Sequence, residues 1–193
     1  MKLVIASNNK GKIAEFNKLL SPLGYEAVSQ REAGIDIEVS EDGETFEENA
    51  ALKARAVYEI ARCAVLADDS GLSVDALDGA PGVYSARYGG EGLDDKGRTE
   101  LLLENMKNVP DEKRTAKFVC VIHFIKENGE EISVRGECKG KIGYKPEGEN
   151  GFGYDPVFVY GDKTFAQVGS DVKNSVSHRA VALKKLMEKL END

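Results

Sequence analysis

The sequence predicts an α/β protein, and three features carry that prediction. A short apolar run, KLVIA at residues 2–6, passes through a polar turn into an amphipathic helix. A second helical stretch, opened by a capping signal at Thr45, runs into another apolar run at 64–67. Farther on, an alternating apolar strand folds back at Asn128-Gly129, and the chain closes on one more amphipathic helix. A length of 193 residues fits one domain, 1–193, divided into two lobes.

Each element has a local cause. In the first helix Ile13, Phe16, Leu19 and Leu20 share a face, and Pro22 and Gly24 mark its end before YEAV resumes extended structure. The acidic loop DIEVSEDGE at 36–44 precedes the second helix, where Thr45 is the N-cap and Glu48 the third helical residue of a capping box. Phe46, Ala50, Val57 and Ile60 or Ala61 then recur at helical spacing. The stretch 78–97 is rich in glycine and turn residues and reads as a surface loop, followed by a helix around 95–107 carrying Leu101, Leu102 and Met106. Ala116, Phe118, Cys120, Ile122 and Phe124 alternate on one strand, and Ile132, Val134 and Cys138 continue on the returning one. Six glycines in 136–153 argue against regular structure there. PVFVY is a further strand, and Ala180, Leu183, Leu186 or Met187, and Leu190 face one side of the last helix.

Composition narrows the function. A net charge of −8 opposes binding to nucleic acid or an anionic membrane, so neither is an expected partner. No apolar stretch approaches the ~20 residues that span a bilayer, and the amino end has no signal-peptide core. Three cysteines without CxxC spacing fit a reduced, cytoplasmic protein in which they are small buried apolar residues. His123, alternating within a strand, reads as a structural residue.

Four segments stand apart from fold building. Ser7, Asn8, Asn9, Lys10, Gly11 and Lys12 lie between the first strand and first helix, where backbone N–H groups and a lysine suit a phosphate; a polar loop with N-caps is the alternative. The segment lacks the Walker A and GxGxxG spacings. Asp68 and Asp69, with Ser70 and Gly71, stand at the carboxyl end of the 64–67 strand. There two hard oxygen ligands suit Mg²⁺, though a capping turn would explain one of them. In GFGYDP at 151–156 the glycines permit close approach, Phe152 and Tyr154 can stack on a base, and Asp155 can accept from a base edge; a tight turn into a strand is the other reading. In KNSVSHR at 173–179, His178 and Arg179 place cations in a first helical turn, which an anion nearby would explain, as would plain solvation. Together they suggest a magnesium-dependent enzyme acting on a nucleotide, with Lys12, Lys53, Lys173 and Arg179 on phosphates and Asp68, Asp69 and the 38–44 loop on the metal.

The motifs SNNKGK, FEENAALKA, ADDSGLSVDALDGAPGVYSARY, FGYDPVF and SHRAVAL occur in that order, and through them residues 2–190 resemble the inosine triphosphate pyrophosphatase family. The resemblance implies a long, mixed, curved sheet flanked by helices, two lobes with a central active-site cleft (the Maf/Ham fold), and a homodimer. It implies Mg²⁺-dependent hydrolysis of ITP, dITP and XTP to the monophosphate and pyrophosphate, with one or more Mg²⁺ per subunit and Mn²⁺ as a substitute. The substrate is thus a purine nucleoside triphosphate, and the role is to clear deaminated purines from the nucleotide pool.

By position, Ser7 to Lys12 resemble the triphosphate-binding loop and Lys53 the helix lysine that meets phosphate. Asp69 resembles the catalytic acid/base and metal ligand, with Asp68 as its helper and Ser70 beside the substrate. Glu41 takes the second metal position among Glu38, Glu41, Asp42 and Glu44. Arg87 matches a basic position near the phosphates. Phe152, Gly153, Tyr154 and Asp155 form the base-binding strip, and Lys173, His178 and Arg179 close over the purine. The FGYD and SHR strips argue against the neighbouring Maf-like pyrophosphatases, and the acidic pair argues against a non-catalytic nucleotide-binding module.

Overall fold

The computed structural model describes residues 2–191. Its amino end alternates strand and helix: β1 (Lys2–Ile5), α1 (Lys10–Leu20), β2 (Glu26–Ser29), α2 (Phe46–Ala61) and β3 (Val65–Val74). Then follow α3 (Asp95–Asn105), β4 (Thr115–Ile125), β5 (Glu131–Ile142), β6 (Phe158–Tyr160), β7 (Lys163–Thr164), α4 (Ser170–Val176) and α5 (His178–Glu191). The strands form one seven-stranded sheet in the order β2-β1-β3-β4-β5-β6-β7. β1 runs parallel to β2 and to β3, with Ile5 opposite Ser29 and Leu66, whereas β6 is antiparallel to β5 and β7. β4 and β5 are neighbours joined by a few residues around Asn128-Gly129, a connection too short for parallel strands. The expected α/β class, with a mixed sheet flanked by helices, is therefore the observed one.

The chain divides into two compact units, one of Met1–Asp69, Cys120–Gly136 and Arg179–Asp193, the other of Ser70–Val119 and Glu137–His178. The first has two apolar clusters, one on each face of its part of the sheet. Leu3, Ile5 and Leu66 pack with Phe16 and Leu20 of α1 and Ala182, Leu183 and Leu186 of α5. Val4, Val65 and Ala67 pack with Ala54 and Val57 of α2. The second unit has its own core, in which Leu72, Val74, Leu102, Met106, Phe118, Phe158 and Phe165 meet.

Local signals placed the helices well. Thr45 accepts from the Glu48 N–H and Glu48 accepts from the Thr45 N–H, so both halves of the capping box are present. α1 starts at Lys10, so Lys10, Gly11 and Lys12 occupy its first turn and not a loop, with Asn9 as N-cap accepting from the Lys12 N–H.

Three expectations are corrected. The 64–67 strand continues to Val74, so Asp68 and Asp69 lie inside β3 and not at its end. What stops at Leu66 is the ladder with β1; the remainder of β3 is carried by its other neighbour, β4. The glycine-rich 136–153 stretch is regular up to Ile142, and Gly140 serves the strand pairing rather than breaking it, since a Cβ there would strike the Val159 carbonyl and the Phe158 ring across the β5–β6 pair. The 78–97 stretch is not an irregular surface loop throughout: Gly82–Arg87 form a 3₁₀ helix, and buried Ser85 accepts from the Leu72 N–H.

His123 has the structural role read from its strand position. Its Nε2 lies 2.8 Å from Glu131 Oε2, the carboxylate that also receives Arg55 at 2.7 Å. The Arg55 hydrogen bonds, followed by the His123 contact, outweigh partial burial and pull the Glu131 carboxyl from 4.5 to about 2. A depressed carboxyl stabilises the fold above its unfolded value, and that contribution disappears as pH falls from 4.5 toward 2. Glu131→Gln is expected to lower Tm by ~1–4 °C near pH 7, the screened value of a pair that is one-third exposed on the glutamate side. Thermal scans should show the gap closing toward pH 2, and a gap independent of pH would refute the assignment.

Candidate active site

The first unit holds most of the predicted charged residues. Adjacent residues of a strand face opposite sides of the sheet, so Asp68 follows Leu66 toward α1 and α5, and Asp69 follows Val65 and Ala67 toward α2. Asp68, fully buried at its side chain, receives Lys12 Nζ at 3.1 Å and faces Arg179 Nε at 3.7 Å. Arg179 also donates to Glu15 Oε2 at 2.6 Å. Burial opposes the charge of Arg179, and Asp68 and Glu15 outweigh it and raise its pKa. The result is an alternating row: Lys12, Asp68, Arg179, Glu15.

On the α2 side, Lys53 Nζ stands 2.7 Å from Glu41 Oε1 and 3.4 Å from Asp69 Oδ1. Burial opposes the Lys53 charge, but Asp69, Asp68 and Glu41 outweigh it and raise its pKa. For Asp69 the balance falls the other way. Burial raises its carboxyl above 3.8 against the pull of Lys53 and Lys12, and Glu41 and Asp68 push in the same direction. Asp69 Oδ2 is buried with no hydrogen-bond partner among the described residues. An orphaned carboxylate oxygen next to a second carboxylate is a donor set of the kind a hard divalent cation takes, completed by phosphate oxygens and water. Asp69 and Glu41, which share Lys53 between them, thus supply oxygen donors of the kind such a cation takes.

The amino end of α1 carries Ser7, Asn8 and Asn9, with Ser7 Oγ accepting from the Asn9 N–H at 3.1 Å. Lys10 and Gly11 open the helix, so this is a first helical turn whose dipole favours an anion.

The second unit holds the predicted base strip. Residues 151–155 wind about the Asp155 carboxylate, whose Oδ2 accepts from the Phe152 N–H at 3.0 Å and from Lys173 Nζ at 2.7 Å. Gly151 has φ +77°, and a Cβ there would collide with that carboxylate, so the turn requires glycine. Lys173 Nζ also lies 5.0 Å from the half-buried Phe152 ring. Tyr154 differs from the sequence expectation: it is a core residue, its ring among the buried apolar side chains and its hydroxyl donating to the Ser85 carbonyl at 2.8 Å. A tyrosine so placed packs the turn from beneath, whereas Phe152, the other aromatic of the strip, is half-buried and outside the core cluster. His178, also buried, stacks on Phe118 with ring centroids 4.9 Å apart. Ser70 is half-buried in β3, and Arg87 ends the 3₁₀ helix with its guanidinium 5.0 Å from the Tyr84 ring centroid.

A model described as the Ham1 family matches residues 3–189. The chain belongs to the Ham1 family. It is 52% identical over 188 residues to the dITP/XTP pyrophosphatase of Exiguobacterium sp., covering 96% of this chain and 95% of the relative. It is 49% identical over 190 residues to the dITP/XTP pyrophosphatase of Bacillus subtilis, covering 97% and 96%. Among solved structures, the Staphylococcus aureus Ham1 protein superposes with a TM-score of 0.87 at 43% identity, covering 100% of this chain and 99% of that one. The family resemblance carried by the sequence motifs is borne out by this Ham1 membership.

Sequence reasoning missed Glu15 and Asp95, whose carboxylates meet Arg179 and the Gly153 N–H. For Glu15 a signal existed: with Lys12, Phe16 and Leu19 it falls at the three- and four-residue spacing of the inward face of α1. Asp95 had none, because its partner is distant in sequence.

Proposed function

We propose that this chain is a nucleoside-triphosphate pyrophosphohydrolase that converts dITP, XTP and ITP to the monophosphate and pyrophosphate, with Mg²⁺ as its metal and Mn²⁺ as a substitute. The observation that carries the proposal is Asp69, a buried carboxylate that shares Lys53 with Glu41 and has one oxygen without a partner among the described residues, in a chain half identical to proteins named dITP/XTP pyrophosphatase. Mg²⁺ held by Asp69 and Glu41 would neutralise charge on the triphosphate.

The chain's own residues do the rest. Ser7 to Lys12 and Lys53 bind phosphate oxygens, Arg87 serves the phosphates as well, and Ser70 serves the substrate. Asp69 takes a proton from the water that attacks the α-phosphorus. The bond from that phosphorus to the bridging oxygen breaks, and pyrophosphate leaves with the electron pair. Lys12 and Lys53 offset the charge that develops there. Asp68 assists by holding Lys12 and Arg179 in place. Phe152, Gly153, Asp155 and Lys173 serve the purine, Tyr154 packs beneath them, and His178 and Arg179 complete the binding set. A site that pairs with a 6-keto group rejects a 6-amino group by ~10⁴ or more.

Free Cys63, Cys120 and Cys138 support a cytoplasmic location, and the homodimer is to be checked by sedimentation. A product assay tests the proposal. Equimolar dIMP and pyrophosphate from dITP with Mg²⁺, loss of turnover on chelation, and little turnover of dATP are expected. Orthophosphate as first product overturns the reaction, and tight dITP binding without turnover would make the chain a nucleotide-binding module.

A further inference from the structure

We propose that Asp95, at the start of α3, is a positioning residue that holds the 151–155 turn in the shape that receives the purine base. The proposal rests on the reading that this turn serves the base. Asp95 Oδ2 accepts from the Gly153 N–H at 3.0 Å, across 58 positions of sequence. Asp94 already caps α3 by accepting from the Gly97 N–H at 2.8 Å, so the Asp95 side chain is not needed as the cap and is directed to the turn.

The turn needs an outside support. Gly151 and Gly153 both have positive φ, at +77° and +61°, so the two residues flanking Phe152 carry no Cβ to restrict their backbone, and no strand ladder holds them. Asp155 anchors one side through the Phe152 N–H, and Asp95 anchors the other through the Gly153 N–H. These are the successive amides on either side of the Phe152 Cα, and holding both holds the direction in which its side chain leaves the backbone. Buried Thr99, one turn along α3, adds a second contact: its hydroxyl donates to the Asp95 carbonyl at 2.8 Å and lies 3.5 Å from the Gly153 carbonyl. The Arg98 guanidinium stands 3.5 Å from the other oxygen of Asp95, limiting rotation of the carboxylate. The Asp95 side chain itself is 62% exposed, so its hydrogen bond orders a surface turn and is not part of the core.

Base binding persists through the reaction while the chemistry occurs at the α-phosphorus, so loosening the turn should weaken substrate binding uniformly. Asp95→Ala is expected to raise KM for dITP about 3- to 10-fold, the value of one hydrogen bond, with kcat within about twofold. Asp95→Asn retains an acceptor oxygen without the charge and is expected to recover most of the loss. Phe152→Ala, assayed alongside, should raise KM at least as much. An unchanged KM in Asp95→Ala, a matching fall in kcat, or Asp95→Asn as defective as Asp95→Ala overturns the positioning role. An unchanged KM in Phe152→Ala instead overturns the base-strip reading, and the proposal with it.

Discussion

Replacing Asp69 with asparagine is expected to lower kcat for dITP by about 10²–10⁴-fold, the usual contribution of a positioned acid–base group, and to leave the fold intact. Asparagine keeps the shape of the side chain and removes its charge and basicity. Stability should change little because two effects oppose each other. Burial raises the Asp69 carboxyl above 3.8, so its ionisation costs native stability as pH rises through that raised value, and a neutral amide removes the cost. Against this, buried Lys53 loses one of the carboxylates that hold its charge, though Glu41 remains at 2.7 Å. Steady-state kinetics with a thermal scan on the same sample check both halves. Turnover within tenfold of the parent would remove Asp69 from the chemistry, and a Tm loss above ~5 °C would make it structural.

The second large effect concerns stability alone. Arg114 is 1% exposed, and its guanidinium donates to four main-chain carbonyls: Met106 at 2.6 Å, Val109 at 3.2 Å, Ile142 at 2.8 Å and Gly143 at 2.7 Å. It ties the carboxyl end of α3, where a cation suits the helix dipole, to the end of β5. The Tyr144 ring lies 4.2 Å from the guanidinium carbon. Arg114→Ala takes a donor from each of those carbonyls, of which Met106 keeps the Val109 N–H, and opens a void, for an expected cost of about 3–5 kcal/mol. The matching fall in Tm is ~6–20 °C. Arg114→Lys should recover only part, because an ammonium cannot reproduce the fork of the guanidinium. Chemical denaturation checks this, and a cost below ~1 kcal/mol for the alanine variant would show that water replaces the arginine.

Arg114 also shows how far the sequence could be read. It shares the even-numbered register of Ala116, Phe118, Cys120, Ile122 and Phe124, so the alternation that marks β4 already points it inward. What the pattern does not contain is the set of carbonyls that makes a buried guanidinium tolerable, since those of Ile142 and Gly143 come from another strand end. Gly140 is a parallel case. Its glycine was read as a breaker because breaking is the local meaning of glycine, but in place it makes room for Phe158 and Val159.

The sequence by itself determined the features whose causes are local. The Thr45–Glu48 capping box, the apolar spacing of α1 and α2 and the Asn128-Gly129 reversal all act within a few residues, where covalent geometry keeps the partners together. The ordered motifs also marked the charged and aromatic residues of the candidate site. Only the tertiary structure decided how those residues divide. The Asp68–Asp69 pair is adjacent in sequence, yet strand geometry sends Asp68 to Lys12 and Arg179 and Asp69 to Lys53 and Glu41. Tyr154 and Phe152, two residues apart in a turn where strand alternation does not apply, separate into a core residue and a half-buried one. The physical reason is common to both: local backbone geometry sets which way a side chain leaves the chain, but what it meets depends on segments brought together by burial from elsewhere in the chain.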